Sequence, residues 1–304
     1  MEIFVPNETA RLRAVVLGLP DSNGPVPSEA ETYDSKSYES VVKGIYPTQE
    51  AITAEMTAFR NVLRKYDVDV LRPRLVKDCN QIFARDVGFV IDDKIVVSNV
   101  IPNRQDEIDA YGGIYSHIHY KQIYNLPEAV HVEGGDVILW KDYIFVGQYA
   151  FSDYPQIKTA RTNALAIDYL RMIFPERKIV PLNLRKSDTD PREGILHLDC
   201  TFMPVGADKA IIYKPGFMNP RDADRLVNLF GKKNVLEITQ DEMYWMNTNI
   251  FSIAPDVVVV EENFTRLKSW LEGWGIKVET VPYREISKMG GLLRCSTLPL
   301  RRDR

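Results

Sequence analysis

Short apolar runs recur along the chain at a spacing of about fifty residues, each followed by a polar or small-residue break. Val68-Asp69-Val70-Leu71 precedes a hairpin pattern from Gly88 to Val97 that turns at Asp92-Asp93. Val130-His131-Val132 precedes a second, from Asp136 to Val146, with a helical pattern over about residues 156–173. Ile179 to Leu182 precedes a third, with strands predicted over 201–205 and 210–213 and a helix from near Pro220. Residues 234–237 precede a fourth, with strands at 250–253 and 257–260 and a helix over about 263–272.

A fifth unit starts at residues 276–281 and reaches a strand at 295–300, where the chain stops. Its missing strand and helix are found at the other end, at residues 12–17 and 48–65. The pattern therefore predicts an α/β fold, a five-bladed pseudosymmetric propeller. A single catalytic domain, residues 1–304, is closed by pairing of the N- and C-terminal segments, with no free sheet edge. Residues 19–47 do not fit the module. They are rich in Pro, Ser, Gly, Asp and Glu, and are expected to form a lid loop over the central cavity.

Composition narrows the picture. With 38 basic and 42 acidic residues the net charge is −4, which argues against sequence-independent nucleic-acid binding. No apolar run approaches the roughly 20 residues needed to span a bilayer, and Met1 to Glu8 lacks the pattern of a secretory leader. Cys79, Cys200 and Cys295 form no CxxC motif and cannot all pair, so a reducing cytoplasm is expected. His117-Ile118-His119 alternates as on a strand but has no third ligand, so no metal is expected. No glycine-rich nucleotide fingerprint is present, and no cofactor is expected.

The chemistry is concentrated in the breaks. Arg85-Asp86, Glu133-Gly134-Gly135-Asp136, His197-Leu198-Asp199, Asn247-Thr248-Asn249 and Gly290-Gly291 with Cys295 occupy equivalent places in the five units. In a ring, equivalent places converge on the axis. Carboxylates, an imidazole and a thiol facing one cavity suit a planar cation such as a guanidinium, whose donors carboxylates accept in pairs. Asp86 and Glu133 would hold it and Cys295 would add to its carbon. His197 would protonate the departing nitrogen and then activate water. Asp199 would orient the imidazole or anchor the substrate.

Phe83-Ala84-Arg85-Asp86, Glu133-Gly134-Gly135-Asp136, His197-Leu198-Asp199 and Gly290 to Cys295 resemble the signature set of the guanidine-modifying superfamily. That superfamily includes arginine deiminases, dimethylarginine dimethylaminohydrolases and amidinotransferases. The resemblance implies Cys295 as nucleophile, His197 as acid and base, and Asp86, Glu133 and Asp199 as guanidinium holders. It further implies that Asn80, Arg104 and Arg161 bind the amino-acid end of the substrate.

Other residues have plainer readings. Cys79 and Cys200 are small buried hydrophobes, Asp136 caps its turn or orients Glu133, and Arg85 pairs structurally with a carboxylate. Arg294, Arg301, Arg302 and Arg304 form a solvated basic face, and the paired glycines permit tight backbone geometry. The function expected is hydrolysis of the guanidinium of arginine or a modified arginine. Amidino transfer to an amine is the alternative, and a non-catalytic binding propeller the third. The expected partner is a small guanidino molecule, with neither nucleic acid nor membrane, and a homodimer is open to the chain.

Overall fold

The computed structural model describes residues 1–304. β1 (Leu12–Leu17) runs parallel to β2 (Asp69–Leu71), with the helix Gln49–Lys65 between them in sequence. Four more sheets repeat the design. They are β3 (Gly88–Ile91), β4 (Lys94–Val97) and β5 (Ile123–Asn125), then β6 (Val137–Trp140), β7 (Tyr143–Gln148) and β8 (Lys178–Asn183). β9 (Phe202–Val205), β10 (Lys209–Ile212) and β11 (Val235–Glu237) follow, then β12 (Phe251–Ala254), β13 (Val257–Glu261) and β14 (Lys277–Val281). β15 (Thr297–Arg302) pairs antiparallel with β1, from Leu17↔Thr297 to Leu12↔Arg302, and completes the first sheet.

Every sheet has the same grammar: the middle strand is antiparallel to its inner neighbour and parallel to its outer one. In four sheets a hairpin makes the antiparallel pair and in the first the two ends of the chain do, whereas the parallel pair requires a longer crossover. The inner strands β3, β6, β9 and β12 are buried throughout, because they face the ring axis on one side and the module core on the other. The architecture is a five-fold pseudosymmetric α/β propeller.

The structure corrects four readings of the pattern. The sheets are five separate three-stranded units, so β2, β5, β8, β11 and β14 remain edge strands at the perimeter instead of being paired away. The strand expected at 130–132 lies earlier, at β5; residues 127–130 form a turn that Asn99 holds by donating to the carbonyls of Leu126, Pro127 and Val130. The helix expected from 156 begins only at Ala164, where Asn163 caps it by accepting from the Ala166 N–H. His117 and His119 do not lie on a strand; they are exposed and follow the short helix Gly112–Tyr115.

Candidate active site

Each break sits at the N-terminal end of an inner strand. Asp86 is on the single-turn helix Ala84–Val87 before β3, Glu133 precedes the turn Gly134–Asp136 before β6, and His197 precedes the turn Leu198–Cys200 before β9. Asn249 and Cys295 stand two residues ahead of β12 and β15. The seams between modules are stitched at this level. The Arg85 N–H donates to the Cys295 carbonyl at 2.9 Å, Leu198 N–H to Asp136 Oδ1 at 2.9 Å, and Thr248 Oγ1 to the Asp199 carbonyl at 2.7 Å. Asp136, which also accepts from Thr162, thereby joins two modules. Gly135 packs so closely that a Cβ there would meet His197 Nδ1 at 2.6 Å.

Asp86, Glu133, His197, Asp199 and Cys295 are all buried and converge. His197 Nε2 lies 2.9 Å from Glu133 Oε2, and its Nδ1 lies 3.7 Å from Asp86 Oδ1. Both of those facing atoms, Nδ1 and Oδ1, are buried without a hydrogen-bond partner. Burial would lower the pKa of His197, but the Asp86, Glu133 and Asp136 carboxylates outweigh it and raise it to about 9. The imidazolium is therefore the resting form. Glu133 is pulled the other way: burial opposes its charge, yet Arg161, His197 and Arg104 hold its carboxyl well below the usual range.

Asp199 does not contact the imidazole. Its Oδ2 lies 3.7 Å from Cys295 Sγ and accepts from Arg294 Nη1 at 2.8 Å. Glu133, assigned to the guanidinium from the sequence, is the group that holds His197. Burial and the nearby charge of Asp199 push the Cys295 thiol well above its ordinary value. Asn249 donates from Nδ2 to the Cys295 Sγ at 3.1 Å.

Beneath the thiol lies an ionic floor. Arg294 donates to Glu8 at 3.0 and 3.3 Å, to Asp199, and to the Val137 carbonyl at 2.7 Å. Glu8 pays for burial with Arg294 and Arg85 as neighbours, and its pKa falls to about 2. Arg302, also buried, donates to the carbonyl of Ser252. The expectation of a solvated basic face thus fails for Arg294 and Arg302, which have acids and carbonyls waiting inside. Arg85 has no carboxylate at contact distance. It donates to the Arg294 carbonyl and Thr297 Oγ1, and burial with the repulsion of Arg294 lowers it to about 9.

At the opposite side, Arg104 donates to Asp86 Oδ2 at 2.7 Å and grips Glu107 with Nε and Nη2 at 2.7 and 2.8 Å. Arg161 Nη1 spans both oxygens of Glu133 at 3.1 and 3.0 Å. Asn80 lies farther out, donating to the Tyr33 hydroxyl at 3.3 Å. Cys200 is buried as expected, but Cys79 is only half-buried.

Residues 19–47 are ordered and folded against this mouth. They contain the helix Ser35–Val42, capped by Asp34, which accepts from Ser37 N–H at 2.8 Å. Lys158 Nζ donates to the carbonyls of Ala30 and Thr32 at 2.9 and 2.8 Å, and Arg161 Nη2 to that of Tyr33. Gly290 adopts φ +89°, and a Cβ there would stand 2.4 Å from Asp34 Oδ1, so only glycine lets the two segments meet.

Sequence reasoning missed Glu8, Glu107 and Arg294 as parts of the site, and noted Asn249 without giving it a role. The one available signal was for Asn249, which occupies the module-four break.

The comparisons fit this geometry. The family model for eukaryotic N,N dimethylarginine dimethylhydrolase matches residues 28–302. The uncharacterised protein YkgA of Bacillus subtilis is 33% identical over 243 residues, covering 78% of this chain and 76% of that one. An arginine deiminase of Treponema denticola is 23% identical over 299 residues, covering 85% and 70%. Among solved structures, the N-terminal domain of ArgZ, an arginine dihydrolase of the cyanobacterial ornithine–ammonia cycle, has a TM-score of 0.78 at 18% identity, covering 95% of this chain and 97% of that one. SxtG, an amidinotransferase from Microseira wollei, has a TM-score of 0.76 at 17% identity, covering 99% and 98%. These two structures share the fold. The family match spans nearly the whole chain, and the chain belongs to the N,N dimethylarginine dimethylhydrolase family within the guanidine-modifying superfamily.

Proposed function

We propose that the chain hydrolyses the guanidinium group of arginine or a methylated arginine through a covalent intermediate on Cys295. The observation that carries this reading is the pair of buried, unpartnered atoms Asp86 Oδ1 and His197 Nδ1, 3.7 Å apart in the cluster that also holds Cys295. A carboxylate oxygen lacking a donor, beside an imidazolium N–H lacking an acceptor, suits a bound guanidinium whose nitrogen is about to leave. The family match adds methylated arginine, and the deiminase relatives add arginine, as substrates to be tried.

In this reading Asp86 and Asp199 hold the cation, whose charge favours the thiolate. Sγ adds to the central carbon, forming a C–S bond. His197, oriented by Glu133, gives its proton to the departing nitrogen as the C–N bond breaks, releasing ammonia or an alkylamine. The thiouronium left on Cys295 is then attacked by water, which gives a proton to His197. The C–S bond breaks with its electron pair returning to sulfur, and a ureido product of the citrulline type leaves. The remaining proton leaves with the amine as its ammonium ion. Arg104, Arg161 and Asn80, on the mouth side, bind the amino-acid end, and residues 19–47 act as the lid.

Incubation with arginine or dimethylarginine alone tests the reading. Citrulline and ammonia, or citrulline and dimethylamine, should appear in equal amounts, and Cys295→Ser should abolish turnover while the fold persists. Transfer is favoured instead if nothing turns over until an amine acceptor is supplied and ornithine then accumulates.

A further inference from the structure

We propose that Asn249 is a further catalytic residue of this chain, its side-chain amide holding Cys295 Sγ as a thiolate through an N–H···S hydrogen bond. The inference rests on Cys295 being the nucleophile, as set out above.

The orientation of the amide follows from its other contacts. Oδ1 of Asn249 accepts from the main-chain N–H of Arg294 at 3.0 Å and of Cys295 at 3.2 Å. With two N–H groups aimed at one end of the amide, that end must be the oxygen, because a flipped NH2 would face donors with donors. Nδ2 is thereby turned to Sγ, 3.1 Å away. Asn249 is wholly buried, and Thr248 beside it is tied to the Asp199 carbonyl, so the amide is held from both sides. The two contacts at Oδ1 also fix the backbone of Arg294 and Cys295.

The sulfur has few other sources of help. The titratable and charged groups around it are Asp199 and Cys200 from module three, Asp86 from module one and Tyr283 from its own module. Asp199, Cys200 and Asp86 favour the neutral thiol, and a main-chain hydrogen bond at Leu292 works the other way. The nearest guanidinium, Arg294, spends its donors on Glu8, Asp199 and main-chain carbonyls. The two side-chain hydrogen bonds at Sγ therefore have opposite senses: Asp199 Oδ2 at 3.7 Å accepts the thiol proton, and Asn249 Nδ2 donates to the sulfur. A neutral donor stabilises the thiolate without competing, as a lysine or arginine would, for the carboxylates that a cationic substrate needs. Before substrate arrives the amide is the one side-chain donor on the sulfur, and once it arrives the cation adds to the effect.

The test uses the full chain without substrate. The rate of Cys295 alkylation by neutral iodoacetamide is followed against pH, with peptide mass spectrometry separating Cys295 from Cys79 and Cys200. Asn249→Ala removes the donor and should move the thiol titration upward by about one to two pH units, the range expected for losing a hydrogen bond to a charged group. Asn249→Asp keeps the acceptor for the two N–H groups but turns an anionic oxygen on the sulfur, and should move it further. Turnover number should fall roughly tenfold to a hundredfold in Asn249→Ala, with KM changing by less than about threefold. In the unsubstituted protein the Asn249 side-chain amide resonance should shift as the thiol titrates, which needs no variant to fold. An alkylation profile in Asn249→Ala that superimposes on the parent's, or an amide resonance indifferent to the thiol, overturns the proposal. Failure of the functional reading shows up separately, as an active Cys295→Ser.

Discussion

The floor beneath Cys295 and the mouth opposite it are both made of arginines set against oxygen atoms, yet they are built differently. On the floor, Glu8, Arg294, Asp199 and Arg302 are all buried, and the pairs join segments as far as 286 residues apart. At the mouth, Arg104 and Arg161 are paired with Asp86, Glu107 and Glu133 just as deeply, but residues 30–33 are held through main-chain carbonyls, by Arg161 and the half-buried Lys158. The floor combines full-charge pairs with exclusion of water, so breaking one strands a charge. At the mouth only Lys158, one half-buried charged donor to two carbonyls, makes contacts near enough to solvent to be released and remade at low cost.

The largest expected contrast comes from the floor. Arg294→Met leaves Glu8 and Asp199 as unpaired buried acids, and should cost about 3–5 kcal/mol of stability in chemical denaturation. A loss below about 1 kcal/mol would erase the distinction between the two regions. Next comes pH. The folded-state pKa of His197, near 9, exceeds the ordinary 6.5 of an unfolded chain. Its contribution is then fully present below about pH 6.5 and is lost as pH rises through 9, by about 3 kcal/mol in all. Denaturation at several pH values should show that decline, and His197→Gln should flatten it. The smallest effect belongs to the mouth. Lys158→Ala should leave the melting temperature near the parent's and raise KM about fivefold, roughly 1 kcal/mol, by loosening the proposed lid. A drop in stability like that of Arg294→Met would make the lid part of the core.

The same division governs what could be read from the sequence. The repeat and its breaks were legible because each module carries its own hairpin signal, and the strand at 12–17 and the helix near 48–65 fell almost where expected. The titratable residues of four breaks were legible because their chemistry is specific. The floor was not, because an arginine's fate depends on whether a distant acid waits inside. Glu8 and Arg294 carry no local sign of each other. The strand at Ile123–Asn125 was displaced in the reading because Val130-His131-Val132 has the better β composition, while Asn99 bonds to the carbonyls of the turn instead. The helix expected from residue 156 failed for a similar reason. His131, Asp153 and Asn163 join into a cluster at 2.8 and 3.0 Å that holds residues 153–163 in an irregular path and brings Lys158 and Arg161 to the lid.

The hydrolysis proposed for Cys295 would have to spare the protein's own guanidiniums, and Arg294 stands next to Cys295 in the chain. Its Nη1 shares with Sγ the same oxygen of Asp199, at 2.8 and 3.7 Å. In that reading, the disposition of protons would protect it. Two carboxylates and a carbonyl keep its nitrogens engaged as donors, so none is turned to receive a proton and depart. The acid that could expel one, His197, faces Glu133 and Asp86. In the proposed mechanism, immunity to self-modification would be a matter of which guanidinium the imidazolium can reach, and the floor that steadies Asp199 engages the protein's own arginine elsewhere.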